Sequence, residues 1–277
     1  MLGMTRIAAL LLIFASMASA QTSPAQDEKK TAKIELTPEQ KSARLDQILQ
    51  AWEARMTKTE SFSMKVIRKE TEPVRKTEVV LEGTANIQKP SLALFDLQES
   101  GPKASKRERF LADGKNLFQY DFKTQQIKTF ALPKGNGIGD NLFFSLLSGM
   151  KAEDAKERFV MKYLLEDTDY AYIDIVPKKN SDKQEFKVAR LTLVINSKKY
   201  PNSFMLPRQI YYIANNGETI QYDLLEHKIN KEIPANYFKL IVPNGWKLLP
   251  EEKQNDGIFR GASRPSGSVQ PGGLKQQ

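Results

Sequence analysis

The sequence predicts an α+β protein: one antiparallel sheet of about ten strands that curls, with a few helices laid on or inside the curl. Three observations lead there. Between Gln88 and Leu132, consecutive apolar runs are joined by tight turn signals, the mark of a meander. A second block of short strands follows between Met161 and Val242. The helical stretches are too few for βαβ crossovers, so the sheet must bury its apolar face by bending.

The elements follow in order. Met1–Ala20 reads as a secretory signal peptide: Arg6 gives the positive start, Ile7–Ala15 the apolar run and Ala18-Ser19-Ala20 the cleavage site. Residues 21–36 are polar and charged, a flexible leader to a domain spanning 37–250. Thr37-Pro38-Glu39-Gln40 opens a helix, with Thr37 as N-cap, Pro38 in the first turn and Gln40 completing a capping box. Leu45, Ile48, Leu49, Trp52 and Met56 then recur at helical spacing and form a stripe to lie on the sheet.

Ser61–Lys69 alternates, with Phe62, Met64 and Val66 on one face and Ser63 and Lys65 on the other. In Thr77–Gln88 the shared face is Val79, Leu81, Gly83, Ala85 and Ile87, and the small pair implies a close approach. Ser91–Leu97 is followed by Arg109–Ala112 and Asn116–Tyr120, hinged on Asp113-Gly114 because a primed turn needs positive φ at its tip. Asp121–Thr124 turns again into Gln126–Leu132, which stops at Pro133.

Gly135–Asp140 reads as a connector; its glycines lack the Lys-Ser/Thr of a phosphate loop. Asp140–Met150 is a short, very apolar helix carrying Leu142, Phe143, Leu146, Leu147 and Met150 and ended by Gly149. Lys151–Val160 adds a charged helical turn or two. Strands resume at Met161–Leu165, Tyr170–Val176, Glu185–Asn196, Pro207–Ile213 and Thr219–Glu226, with Asn215-Asn216-Gly217 as a hairpin tip and Phe238–Val242 as the last strand. Residues 251–277 are rich in Gly, Pro, Ser and Gln and read as a disordered tail.

Composition narrows function. With 0 Cys, thiolate chemistry and thiolate metal sites are excluded, and an exported chain must be held by its core alone. The net charge of +9 is spread along the chain. The one dense run, Lys103–Arg109, has no aromatic interleaving of the kind that stacks bases, so nucleic acid is not a partner. His227 is the single histidine and reads as an isolated surface imidazole. Asp167 and Asp169 flank Thr168 as turn residues rather than an acid–base pair. No metal-ligand spacing and no nucleophile elbow is present, so the chain reads as non-enzymatic, without cofactor or metal.

Lys89-Pro90-x-Leu92, then Asp113-Gly114-Lys115 to Tyr120-Asp121, and finally Pro243-Asn244-Gly245 resemble the LolA-like outer-membrane lipoprotein carriers. The resemblance implies an incomplete, strongly curved antiparallel β-barrel whose open side is covered by helices as a lid. It implies a periplasmic carrier or binder of lipid or lipoprotein acyl chains, with docking proteins at the inner and outer membranes. The carrier's lid-latching arginine corresponds to Lys89, a point charge with three donors rather than a rigid fork. The expected apolar cavity is lined by Phe62, Met64, Val66, Leu81, Ile87, Phe95, Phe110, Phe118, Leu142, Phe143, Leu146 and Leu147. The expected state is a monomer. An alternative use of the same fold is a sensor or interaction module that binds a protein partner in the envelope.

Overall fold

The computed structural model describes residues 36–102, 104–132, 145–147 and 149–252. The signal peptide, nearly all of the leader, the glycine connector, Leu142, Phe143 and the tail from 253 lie outside the described residues. Helix α1 (Pro38–Thr57) is followed by β1 (Ser61–Glu72), β2 (Thr77–Gln88), β3 (Leu92–Glu99), β4 (Arg107–Asp113), β5 (Asn116–Asp121) and β6 (Gln126–Ala131). Then come α2 (Ala152–Arg158), β7 (Phe159–Glu166), β8 (Tyr170–Pro177), α3 (Asn180–Glu185), β9 (Val188–Val194), β10 (Pro207–Ile213) and β11 (Thr219–Ile229). A 3₁₀ turn, Ala235–Phe238, precedes β12 (Lys247–Glu252).

Twelve strands form one open sheet, in the order β12-β6-β5-β4-β3-β2-β1-β11-β10-β9-β8-β7. Both strand blocks of the sequence are meanders, and the β1·β11 pairing joins them. All neighbours are antiparallel except β12, which runs parallel to β6. Strands β1–β11 each fall on a segment expected as a strand, and β12 forms at Lys247–Glu252.

Local chemistry sets these bounds. The capping box of α1 is present: Thr37 Oγ1 accepts from the Gln40 amide, and Gln40 Oε1 accepts from the Thr37 amide at 2.9 Å. At the hairpin tips, Asp113 accepts from the amides of Lys115 and Asn116, and Asp121 from those of Lys123 and Thr124. Gly114 and Gly217 occupy the positive-φ positions these turns require.

The curl follows from contacts that a flat sheet could not make. Arg68 on β1 reaches Glu108 on β4, three strands away, or ~14 Å along a flat sheet. Tyr222 on β11 and Phe95 on β3 are equally far apart in strand order, yet their ring centroids are 6.3 Å apart. One apolar cluster therefore gathers the inner face of both blocks, from Leu117 and Phe130 to Ile173 and Leu191, beneath Ile48, Leu49, Trp52 and Met56 of α1. Each of those fully buried α1 side chains contributes roughly 1.5–3 kcal/mol.

The outer face carries a second cluster. Leu94, Leu111, Phe118, Tyr120 and Ile127 are covered by Ile233, Phe238 and Trp246 of the C-terminal segment. Residues 238–242 therefore do not form the expected last strand. The segment crosses the outer face of the sheet, Tyr120 Oη donates to the Ile241 carbonyl at 2.8 Å, and the strand forms only at Lys247–Glu252. Asn180–Glu185 makes α3, so the strand expected from Glu185 begins at Val188, and Asp182 is buried in an ion pair with Arg158.

The close approach expected at Gly83 is between backbones. A Cβ there would lie 1.9 Å from the Asp96 carbonyl oxygen of β3. Gly83→Ala must push two paired strands apart, and its cost is expected at the upper end of the ~1–3 kcal/mol of an overpacked site. Urea unfolding of the two proteins measures it; an unchanged midpoint would show that the strands yield freely.

Candidate functional site

The inner face is built from strand alternation. On β1 the inward side chains are Phe62, Met64 and Val66, opposed on β2 by Ile87, Ala85 and Gly83. Phe95 and Phe110 face each other across β3 and β4, with ring centroids 6.4 Å apart. These residues and Leu81 belong to one cluster, Phe110 being only partly buried. Leu146 and Leu147, within the helical segment 145–147, are buried in the same cluster. Phe118 is not with them. Leu117 takes the inward position on β5, and Phe118 points to the outer face with Leu111 and Tyr120. The apolar run Leu117-Phe118 offers two registers, and only the pairing of Phe118 with Leu111 decides between them.

Helix α1 lies across one end of this face and is tied to its surroundings by polar contacts. Arg44 forms a fork with Glu166 of β7, with Nη2–Oε2 at 3.0 Å. Arg55 donates to the Asn202 carbonyl, and Glu53 accepts from the Ala152 amide. Lys89 is half-buried and donates from Nζ to the Met56 carbonyl at the end of α1. Burial lowers the Lys89 pKa, with Glu60 acting against the shift. Gly149, at φ +87°, sits against Met56, where a Cβ would come within 2.4 Å of the Met56 Cβ.

Farther along β1 the same inward face turns from apolar to charged, a feature the sequence reading passed over. Arg68 is 1% exposed and pairs with Glu70 and Glu108, while Lys106 also reaches Glu70. The Arg68 guanidinium lies over the Tyr222 ring, 5.4 Å from its centroid. Burial opposes the arginine's charge, but Tyr222, Glu108 and Glu70 together outweigh it and raise its pKa. Burial also raises the hydroxyls of Tyr212 and Tyr222. The signal was available: Arg68 and Glu70 continue the parity of Phe62, Met64 and Val66, and a charged pair on an apolar face must find partners. Two cations and two carboxylates make this band neutral.

The other titratable candidates are structural. Asp167 accepts from the amides of Asp169 and Tyr170, both at 2.8 Å, as turn chemistry requires. Asp169 is held by Asn196 and Lys199. His227 is not an isolated surface group. Its Nδ1 lies 2.9 Å from Ser203 Oγ, and its ring packs 5.4 Å from that of Phe62. Among the described residues, no group of His, Cys, Asp and Glu could hold a metal ion, and no helix is long and apolar enough to cross a membrane.

No family model and no curated protein sequence matches the chain. Solved structures do. A LolA superfamily protein from Nitrosomonas europaea is 12% identical, covering 71% of this chain and 97% of its own, with a TM-score of 0.36. LprF from Mycobacterium bovis is 10% identical over 73% and 97%, with a TM-score of 0.39. The lipoprotein LppX from Mycobacterium tuberculosis is 12% identical over 69% and 98%, with a TM-score of 0.36.

Two outcomes follow. Arg68→Met alone leaves Lys106 as the one cation facing two buried carboxylates and is expected to cost about 3–5 kcal/mol, while adding Glu108→Gln, which restores the balance of charge, is expected to recover most of that. Denaturant unfolding of the single and double variants checks this; equal losses would mean the guanidinium's packing, not its charge, matters. Burial, followed by the nearby Arg208, lowers the His227 pKa to about 4 from 6.5. A depressed histidine binds its proton later in the folded state than in the unfolded chain. His227 therefore costs nothing above pH 6.5 and removes about 3 kcal/mol of stability as pH falls from 6.5 to 4. His227→Gln should flatten unfolding free energy against pH over that window, and an unaltered slope would refute the assignment.

Proposed function

We propose that the chain is a non-catalytic binder or carrier of lipid or lipoprotein acyl chains in the cell envelope. The reading rests on one observation: the inner face of an open sheet is apolar across both strand blocks, and helices rather than a second sheet cover it. An acyl chain takes the place of Leu146 and Leu147 beside Phe62, Met64, Val66, Leu81, Ile87, Phe95 and Phe110, and slides beneath α1. The neutral band around Arg68 ends the apolar stretch and stops a hydrocarbon tail.

Magnitudes favour a competing cover. A chain of ~15 methylenes gains about 12 kcal/mol on burial, which unopposed corresponds to roughly nanomolar binding. A carrier with no nucleotide to spend must still release its cargo. Leucines that repack into the vacated site lower the net affinity by what they regain. Lys89, bonded to the last turn of α1, serves as the latch on that helix. The chain acts as a monomer in the periplasm, its signal peptide removed after Ala20, and hands cargo between docking proteins at the two membranes.

Mass spectrometry of gently extracted protein should find co-purifying lipid. Titration with a fluorescent acyl probe should give at least tenfold tighter binding for Leu146→Ala/Leu147→Ala than for the unaltered chain, because the competitor is weakened. Lipid-free protein that fails to respond to lipopeptide, in either form, would defeat the proposal.

A further inference from the structure

The outer face of the sheet presents a surface that acyl binding does not use. Between Asn230 and β12 the chain crosses the outer side of β3–β6 and alternates between two roles. Ile233, Phe238, Leu240 and Trp246 pack inward on Leu94, Leu111, Phe118 and Tyr120. Among these anchors Tyr237, Ile241 and Val242, and just beyond them Leu248 on β12, are 44%, 57%, 42% and 47% exposed. Half of the large exposed apolar side chains among the described residues fall within these twelve positions. A stretch that already has an inward apolar anchor has no folding need for outward ones, and exposed apolar groups concentrated in one place mark an interaction surface.

Charge selects the partner. Residues 237–248 carry Lys239 and Lys247, both exposed, and no carboxylate; exposed Lys231 and Glu232 precede them, and Glu251 and Glu252 follow along β12. Lysines alternate with the apolar groups: Lys239 stands between Tyr237 and Ile241, and Lys247 adjoins Leu248. A protein partner of matching shape would call for a continuous apolar patch with polar groups at its rim. Interleaved lysines, aliphatics and an aromatic suit a fluid boundary in which methyl groups sink to acyl depth while ammonium groups stay among phosphates. The backbone is fixed for this. Tyr120 Oη holds the Ile241 carbonyl, the Pro243 carbonyl accepts from the Trp246 amide at 3.0 Å, and the Trp246 ring packs edge-on to Phe122 at 5.1 Å. The outward side chains are thus presented by a tethered strap, with little ordering left to pay on contact.

We propose that residues 237–248 form a docking surface for an anionic lipid bilayer. Contact is reversible and peripheral, and it leaves the inner face of the sheet unobstructed, since the two faces of a strand point apart. The absence of cysteine from the chain makes a local test clean. Val242→Cys, labelled with an environment-sensitive fluorophore on the full chain, is mixed with vesicles of phosphatidylglycerol and phosphatidylcholine, or of phosphatidylcholine alone. Val74→Cys, at the 86% exposed tip of the β1–β2 hairpin, is the control. The expected result is a blue shift at 242 with the anionic vesicles, none with neutral vesicles and none at 74. Lys231→Gln/Lys239→Gln/Lys247→Gln should raise the vesicle concentration for half-maximal shift on the order of 100-fold, at about fivefold per lysine. No shift at 242, equal shifts at 242 and 74, or an equal response to neutral vesicles would overturn the proposal. So would a label at 242 that responds to a purified envelope protein and not to lipid. Altered acyl binding in Leu146→Ala/Leu147→Ala with an unchanged shift at 242 would separate this surface from the inner site.

Discussion

An open sheet twelve strands wide has more apolar surface on one face than two or three short helices can cover while it stays flat. Everything else in this molecule follows from how that face is brought to a size that can be covered. Curling solves it, and the charged band at Arg68 is one of the contacts that the curl makes possible. Its partners come from β1 and β4, so the pairing spans strands that are not neighbours. A buried arginine with two carboxylates is no stronger than packed hydrocarbon, but it specifies a distance between strands in a way that hydrocarbon does not. Gly83 serves the same constraint from the backbone side, since β2 and β3 meet there with no room for a side chain.

Curling divides the molecule into two environments with different covers. The inner face receives α1, whose apolar stripe is fixed by five buried residues and whose ends are tied to β7 and to the turn between β2 and β3 by Arg44 and Lys89. The outer face of the first block receives the C-terminal segment, which then adds β12 in parallel to the edge of β6. That addition covers what would otherwise be an open edge, a hazard for any antiparallel sheet. The polar groups that looked available for chemistry are used in this assembly. Asp113, Asp121 and Asp167 close turns, Asp182 answers Arg158, and His227 fills a position between Ser203 and Phe62.

This division is what makes a binding function physically reasonable. An inner face covered by helices can exchange its cover for a guest of similar chemistry, because Leu146 and Leu147 and an acyl chain present the same kind of surface to the strands. A polar but neutral boundary at one end gives such a guest a depth limit without attracting counter-ions. The outer face is held by aromatic contacts and backbone hydrogen bonds and is free to serve a different partner.

Much of the fold was legible in the residues. Period-two alternation identified β1 and β2 and their inward faces, apolar runs between turn signals identified β3 to β6, the Asp-Gly and Asn-Gly tips identified the hairpins, and Thr37 to Gln40 identified the start of α1, because each rests on interactions within a few residues. Phe118, the 230–252 segment, α3 and the setting of His227 were not legible. Their placement depends on which strand lies opposite, and an adjacent apolar pair such as Leu117-Phe118 satisfies either face until that neighbour is known. The Arg68 band falls between the two. Parity on β1 already put the arginine on the apolar face, but Glu108 lies forty residues away in sequence, and only the curl of the sheet brings it within reach. Local chemistry determined which segments are strands and where they turn; the pairing of β1 with β11 and the bending it permits decided what those strands enclose.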